Sequence, residues 1–215
     1  MSTQRIEFKY LLSGEQIKSL QRSFSVLGVR DKHSSSKSYT VRSLYFDSMD
    51  LASYEKKIEG VFFREKFRVR YLKNAVVLEK KCKAGLLSHK ERYYQGDKKN
   101  KVLIDFTRAL NSRTIHPILY ITYERWAYTL GDCRITIDTS LKAQANHLDK
   151  EIIPGKGILE IKFINGQLPS LLYDLIKAHQ LKRVAFSKYT NGVETIYGRD
   201  PRITHPESFD TNTFV

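Results

Sequence analysis

The sequence predicts an α+β domain built around a mostly antiparallel β-sheet, and three observations carry that prediction. Charged residues recur two positions apart on segments that read as strands: Glu7/Lys9, Arg68/Arg70, Glu79/Lys81, Lys90/Arg92 and Glu160/Lys162, with Tyr123/Arg125 as a half-polar version. Side chains alternate across a strand, so each pair lies on one face. Apolar residues interleave with several of these pairs, as in Ile6, Phe8 and Tyr10, in Phe67, Val69 and Tyr71, and in Leu159, Ile161 and Phe163. Helical periodicity is confined to a few short stretches, which leaves the sheet as the organising element.

Residues 5 to 12 (RIEFKYLL) alternate as a strand. Ser13 then offers an N-cap with Gln16 as its reciprocal partner, Ile17, Leu20, Phe24 and Leu27 follow at helical spacing, and Gly28 sits where a C′ glycine belongs. The polar run 31 to 38 reads as a loop, 39 to 47 (YTVRSLYFD) as a β-branched and aromatic strand, and 49 to 58 as a short helix. REKFRVRYL and NAVVLEKKCK form a hairpin turning near Lys73-Asn74, and HKERYY continues the alternation. Residues 97 to 112 are mildly helical. A second hairpin joins PILYITYERWAYTL to CRITIDTSL through Gly131-Asp132, a two-residue primed turn. A loop around IIPGKG leads to the strand ILEIKF, and Pro169 opens a helix carrying Leu171, Leu172, Leu175 and Ile176. FSKYTNGVETIYG reads as a helix interrupted by Gly192. Seven or eight strands and three to five helices make one domain over residues 1–198, with 199–215 as a polar C-terminal tail.

With 215 residues, 41% of them hydrophobic, the chain is long enough to bury a sizeable core. Its formal net charge of +14 favours a polyanionic partner. Two cysteines are too few for a disulfide framework, and the six histidines form no HxxxH or HExxH pattern. No signal-peptide core and no run of membrane-spanning length is present, so the expected setting is cytoplasmic.

An antiparallel sheet with one wet face carries polar residues there in any case. Here, however, Arg68, Arg70, Lys81, Lys83, Lys90 and Arg92 fall on neighbouring strands with few carboxylates among them. Like charges across strands destabilise a sheet, and a bound polyanion would offset the repulsion. Arginine holds phosphate oxygens bidentately and lysine supplies a compact charge. Carboxylates in such a wall have a use as ligands for Mg²⁺ or Mn²⁺. Glu160, Glu7 and Glu79 are the candidates, with Asp138 a weaker one.

The chain resembles the VTC domain of the vacuolar transporter chaperone polyphosphate polymerases, within the triphosphate tunnel metalloenzyme (CYTH-like) superfamily. The resemblance rests on RIEFKY, VRSLYFDS, FRVRY, VLEKKCKAGLLSHKERY, YERWAY, RITIDTSL, ILEIKF and FSKY, which run in family order over most of the chain. It implies a closed eight-stranded antiparallel barrel, a tunnel with helices packed outside. Its lumen would bind triphosphate or polyphosphate, and such a barrel leaves room for one slender ligand. It places Lys9, Arg68, Arg70, Lys81, Lys90, Arg125 and Lys188 at phosphate contacts and Glu160 at the metal, with Arg42 and Tyr123 as further phosphate contacts. Arg92 and Lys162, the second members of their pairs, complete the phosphate-binding set. Arg68, Arg70, Lys81, Arg125, Glu160 and Lys188 are the residues on which catalysis would depend.

The implied reaction moves the γ-phosphoryl group of ATP onto a growing inorganic polyphosphate chain, with Mn²⁺ or Mg²⁺ as cofactor. No specific nucleic-acid target is expected. A membrane-associated partner subunit, as the eukaryotic polymerases have, is not legible. Two alternatives stand: a metal-dependent hydrolase of tripolyphosphate or nucleoside triphosphates, and a non-catalytic polyphosphate binder. The superfamily hydrolases carry an ExExK strand where this chain has Arg5, Glu7 and Lys9, and the missing first carboxylate favours the polymerase type.

Overall fold

The computed structural model describes residues 5–27, 29–30, 38–72, 75–85, 87–96, 115–164 and 168–199. They form ten strands and four helices. In chain order these are β1 (Arg5–Leu12), α1 (Gly14–Leu27), β2 (Val29–Arg30), β3 (Tyr39–Ser48), α2 (Ala52–Ile58), β4 (Phe63–Tyr71) and β5 (Val76–Ala84). There follow β6 (Leu87–Gly96), β7 (Ile115–Leu130), β8 (Cys133–Ala145), β9 (Leu148–Glu151), β10 (Gly157–Ile164), α3 (Ser170–Ala178) and α4 (Lys188–Tyr197). The class is α+β with antiparallel pairing, as expected. The short strands β2 and β9 were not foreseen. The expected helix at 97–112, Gly28, most of the 31–38 loop, the turn at 73–74 and residues 200–215 of the tail lie outside the described residues.

The chain divides into two compact units. The first comprises Met1–Thr40, Tyr123–Leu141 and Ile153–Phe186, and its strands are ordered β1-β10-β8-β7. One sheet face buries Tyr10, Ile135, Ile137, Leu159, Ile161 and Phe163 against Leu20 and Phe24 of α1 and Leu172 of α3. The capping box forms as the sequence indicates: the Ser13 amide donates to Gln16 Oε1 at 2.9 Å, and the Gln16 amide to Ser13 Oγ at 3.3 Å. Gly157 is fixed by space, since a Cβ there would meet the Asp138 carbonyl oxygen at 2.9 Å.

The second unit comprises Val41–Thr122, Lys142–Ile152 and Ser187–Val215. Its strand order is β7-β3-β4-β5-β6, with β9 paired to β8. One face buries Leu44, Phe46, Phe67, Val69, Val76 and Leu78. Helix α2 is capped from a distance: Asp47 accepts hydrogen bonds from the amides of Ser53 (2.9 Å) and Tyr54 (3.1 Å) and from Tyr189 Oη (2.6 Å). That one buried carboxylate ties β3, α2 and α4 together. Helix α4 runs unbroken through Gly192 because it packs too closely for a side chain, a Cβ there coming within 2.5 Å of Ile121 Cδ1.

Among the described residues the sheet is not closed by hydrogen bonds; β1 pairs with β10, and β6 with β5. The pairing among the described residues therefore supports the antiparallel sheet and does not confirm the closed barrel that the resemblance implied. Among the same residues no helix is long and apolar enough to cross a membrane.

Candidate functional site

Each unit presents one polar sheet face, and the two differ in charge. In the second unit, alternation puts Arg64, Lys66, Arg68 and Arg70 of β4 on the face that also carries Glu79, Lys81 and Lys83 of β5 and Lys90 and Arg92 of β6. Register sorts them into cross-strand rows, Lys66–Lys81–Lys90 and Arg68–Glu79–Arg92. On this face eight cations thus surround a single carboxylate, Glu65 and Glu91 lying on the other side of the sheet. Glu79 sits at their centre, 3% exposed. Its Oε2 accepts from Arg68 Nε at 2.7 Å and lies 2.6 Å from Arg68 Nη2, while its Oε1 is 3.2 Å from Lys90 Nζ and 3.8 Å from Arg92 Nε. Burial alone would raise the Glu79 pKa, but Arg68, Arg70 and Lys90 hold it at about 2.

The cations feel one another as well. Desolvation, reinforced by Arg68 and Arg70 and opposed by Glu79, pushes Lys90 down to about 8. Tyr45 of β3, opposite Arg68 in register, accepts from Arg68 Nη1 at 3.1 Å and stacks on Tyr189 at 5.4 Å. Burial would raise its phenol, yet Arg68, Arg70 and Lys188 bring it below its ordinary value, which also places the Lys188 charge beside this cluster. Lys66 donates to Ser187 Oγ at 2.8 Å. Arg42 stands apart. It lies on the opposite face of β3 among Leu44 and Phe46, its guanidinium 4.1 Å from the centre of the Tyr120 ring.

The first unit's polar face is nearly balanced, Glu7, Glu160 and Asp138 standing among Lys9, Lys162, Arg125 and Arg134, the last opposite Lys162 in register. Lys9 pairs in register with Glu160, and Glu7 with Lys162. Lys9 Nζ is 2.8 Å from Glu7 Oε1 and 3.8 Å from Glu160 Oε2, and donates to the Phe186 carbonyl at 3.0 Å. Lys162 Nζ is 2.5 Å from Glu160 Oε1 and 3.9 Å from Glu7 Oε2. Beside this square Arg125 Nε and Nη2 donate to the two Asp138 oxygens at 2.7 Å each, and its guanidinium is 5.1 Å from the Tyr123 ring centre. Burial would weaken the Arg125 charge, but Tyr123, Asp138 and Glu160 carry its pKa well above the usual value, so it stays protonated.

Glu7 and Glu160 are the carboxylates that suit a divalent metal. Among the described residues no group of three or more His, Cys, Asp or Glu could hold an ion unaided. Mg²⁺ is commonly held by one or two carboxylates together with substrate phosphates, so the pair fits a metal that arrives with its phosphate ligand. Glu79 and Asp138 do not fit that role, being bound to Arg68 and Arg125 respectively. The buried Thr136 hydroxyl, opposite Glu160 in register, has no hydrogen-bond partner among the described residues. Thr136→Val is expected to stabilise the fold by about 1 kcal/mol, raising Tm by about 2–4 °C in thermal denaturation. A lower Tm would show that the hydroxyl has a partner.

The structure therefore gathers Lys9, Glu7, Glu160, Lys162, Tyr123 and Arg125 on one face of the first unit. It gathers Arg68, Arg70, Glu79, Lys81, Lys90 and Arg92 on one face of the second, with Lys188 at the start of α4. Sequence reasoning missed Lys66 and Tyr45. Lys66 extends the Arg68/Arg70 alternation by one step, and Tyr45 lies two residues from Asp47 on β3.

The two polar faces, one basic and one of paired carboxylates and lysines, lie on the antiparallel strands of an α+β protein. The VTC domain family matches residues 4–197, and the chain belongs to that family. This bears out the resemblance read from its motifs. No curated protein matches it. Among solved structures it is similar to the PH1819 protein of Pyrococcus horikoshii (12% identity, 88% of this chain and 98% of that one, TM-score 0.55). It is also similar to a candidate adenylate cyclase of Bacillus halodurans (15%, 85% and 93%, 0.54) and another of Vibrio parahaemolyticus (11%, 89% and 98%, 0.52). At these identities the likeness is one of fold.

Proposed function

We propose that this protein binds a linear triphosphate or polyphosphate and, with Mg²⁺ or Mn²⁺, transfers the γ-phosphoryl group of ATP to a growing inorganic polyphosphate chain. The observation that carries the reading is the pair of cross-strand rows, Lys66–Lys81–Lys90 and Arg68–Glu79–Arg92. Lysines placed opposite one another repel, and a polyanion relieves that repulsion. Membership of the VTC domain family supports the triphosphate class of ligand.

Arg68, Arg70 and Arg125 clamp nucleotide phosphates, with Tyr123 as a phenolic donor beside Arg125. Lys9, Lys81, Lys90, Arg92, Lys162 and Lys188 guide the chain. Glu160 and Glu7 hold the metal, which when bound neutralises charge on the phosphate oxygens. Lys9 and Lys162, which those carboxylates now hold, would be able to contact phosphate were Glu7 and Glu160 engaged by a metal. A terminal oxygen of the polyphosphate attacks the γ-phosphorus, the bond to the β,γ-bridging oxygen breaks, and ADP leaves with the electron pair. Positioning and charge neutralisation supply most of the acceleration in such a transfer, so no protein nucleophile is required. The two cysteines, both free thiols, support a reducing cytoplasmic setting.

The test is incubation with ATP and Mn²⁺ or Mg²⁺, with products resolved by gel and assayed for free phosphate, beside a Glu160→Ala control. Metal-dependent polymer that vanishes in the variant is the expected result. Free phosphate without polymer would assign a triphosphatase, and tight binding with neither product a non-catalytic binder. Lys90 adds a pH dependence. With a pKa near 8 it sheds its charge as pH rises from 7 to 9, so tripolyphosphate binding should weaken over that range and take up protons. Calorimetry should show the Lys90→Arg variant holding its affinity at pH 9; an equal decline would remove Lys90 from the binding face.

A further inference from the structure

A buried hydroxyl stands among the cations of the second unit's basic face. Ser43 of β3 is 1% exposed, and its Oγ has no hydrogen-bond partner among the described residues. Leaving a buried hydroxyl unsatisfied costs stability, and an alanine at this position would avoid the cost. Nothing in the strand pairing itself requires a serine there.

The register shows what the hydroxyl faces. Ser43 stands directly opposite Arg70, as Tyr45 stands opposite Arg68, so both side chains lie on the face that carries the cations. Across β4 the next residue in the row is Val77, which is buried and apolar. The row Ser43–Arg70–Val77 thus offers one cation and one hydroxyl. In the neighbouring row Arg68 is already bonded to Glu79 and Tyr45. The Arg70 charge is felt at both Tyr45 and Glu79, which places it beside that cluster.

An arginine holds two oxygens of a phosphate bidentately and leaves its other oxygens to further donors. A serine hydroxyl is such a donor, and it rotates to suit its acceptor. We propose that Ser43 is a further phosphate ligand of the basic face, its hydroxyl donating to an oxygen of the phosphate that Arg70 holds. Ser43 is covered in the free protein, so the contact forms as Arg70 moves onto the phosphate. This role deepens the phosphate-binding proposal and rests on it, and it is the same for a polymerase, a hydrolase or a binder. The hydroxyl carries no charge, which separates it from the residues around it. Losing it lowers affinity and leaves the response to salt as it was, whereas losing a cation changes both.

The test is calorimetric titration of the full chain with tripolyphosphate at several salt concentrations, beside thermal denaturation without ligand. Ser43→Ala is expected to bind about 10-fold more weakly, with the salt dependence of the wild type. It should melt at or above the wild-type temperature, because an unsatisfied group has been removed. Ser43→Cys, near-isosteric but a weak donor, should show the loss of affinity as well. Arg70→Ala should lose affinity and flatten the salt dependence. Wild-type affinity in Ser43→Ala would overturn the proposal and leave the phosphate-binding reading standing. So would a Ser43→Ala chain that melts lower or fails to fold, since the hydroxyl would then be structural. A flattened salt dependence in that variant would overturn it too, by showing that the loss acts through neighbouring cations. No binding by the wild type would overturn both the role of Ser43 and the reading on which it rests.

Discussion

Asp138→Ala is expected to destabilise the fold by about 3–5 kcal/mol, lowering Tm by about 10 °C for a chain of this size. Asp138 is fully buried and meets Arg125 through two parallel hydrogen bonds of 2.7 Å. Arg125 is itself only 8% exposed, so removing its partner leaves a guanidinium in the protein interior with its strongest counter-charge gone. Asp138→Asn can still accept a hydrogen bond and should lose less. Replacing both members, as Arg125→Met with Asp138→Leu, should recover stability relative to Asp138→Ala while weakening tripolyphosphate binding, because the desolvation cost disappears with the pair. Chemical denaturation of the four proteins decides the matter. An Asp138→Ala variant within about 1 kcal/mol of the wild type would mean that the pair is solvated rather than sealed.

Glu79→Gln should move stability and ligand affinity in opposite directions. The Glu79 pKa is held at about 2, below its ordinary 4.5, so its stabilising contribution is complete above pH 4.5 and is lost as pH falls towards 2. Linkage sets that contribution at about 3 kcal/mol. The glutamine variant should be less stable at pH 7 and should lack this part of the acid-induced loss. Its basic face, however, keeps every cation and loses its internal anion, so tripolyphosphate should bind about tenfold tighter. Parallel urea titrations across pH and calorimetry would read both effects. A variant that loses affinity as well as stability would make Glu79 an orienting residue for Arg68 first and a counter-charge second.

The charged pairs were legible because their strands keep one apolar and one polar face: Glu7 and Lys9 alternate with Ile6, Phe8 and Tyr10, and Glu160 and Lys162 with Leu159, Ile161 and Phe163. Strand β3 broke that rule. Ser43 through Asp47 are buried without interruption, since α4 covers Tyr45 and Asp47 while Leu44 and Phe46 enter the core. With both faces covered, period two carries no information, so Arg42 could be grouped with Arg68 and Arg70 although it faces the other way. The Arg125–Asp138 pair was within reach of the sequence. The two residues lie six before Gly131 and six after Asp132, directly opposite across a two-residue turn. Glu79 was read as a metal ligand because spacing reveals its face but not its neighbours, and Arg68 and Lys90 claim it only once β4, β5 and β6 are in register. Lys66 and Tyr45 depend on Ser187 and Tyr189, more than a hundred residues away, and no local pattern announces them.

The pairing of β1 with β10 joins Lys9 to Glu160, about 150 residues apart along the chain. During synthesis β1 is made early and its partner late. At ribosomal speeds of about 5–20 residues per second, roughly 10–30 s separate the two strands. Over that interval Ile6, Phe8 and Tyr10 have no sheet to join, and the first unit, assembled from three separate stretches of chain, cannot close. Such non-local topologies fold slowly once complete. The strand that carries Glu7 and Lys9 thus waits unpaired on the ribosome until β10 emerges, and only then can Lys9 and Glu160 come together.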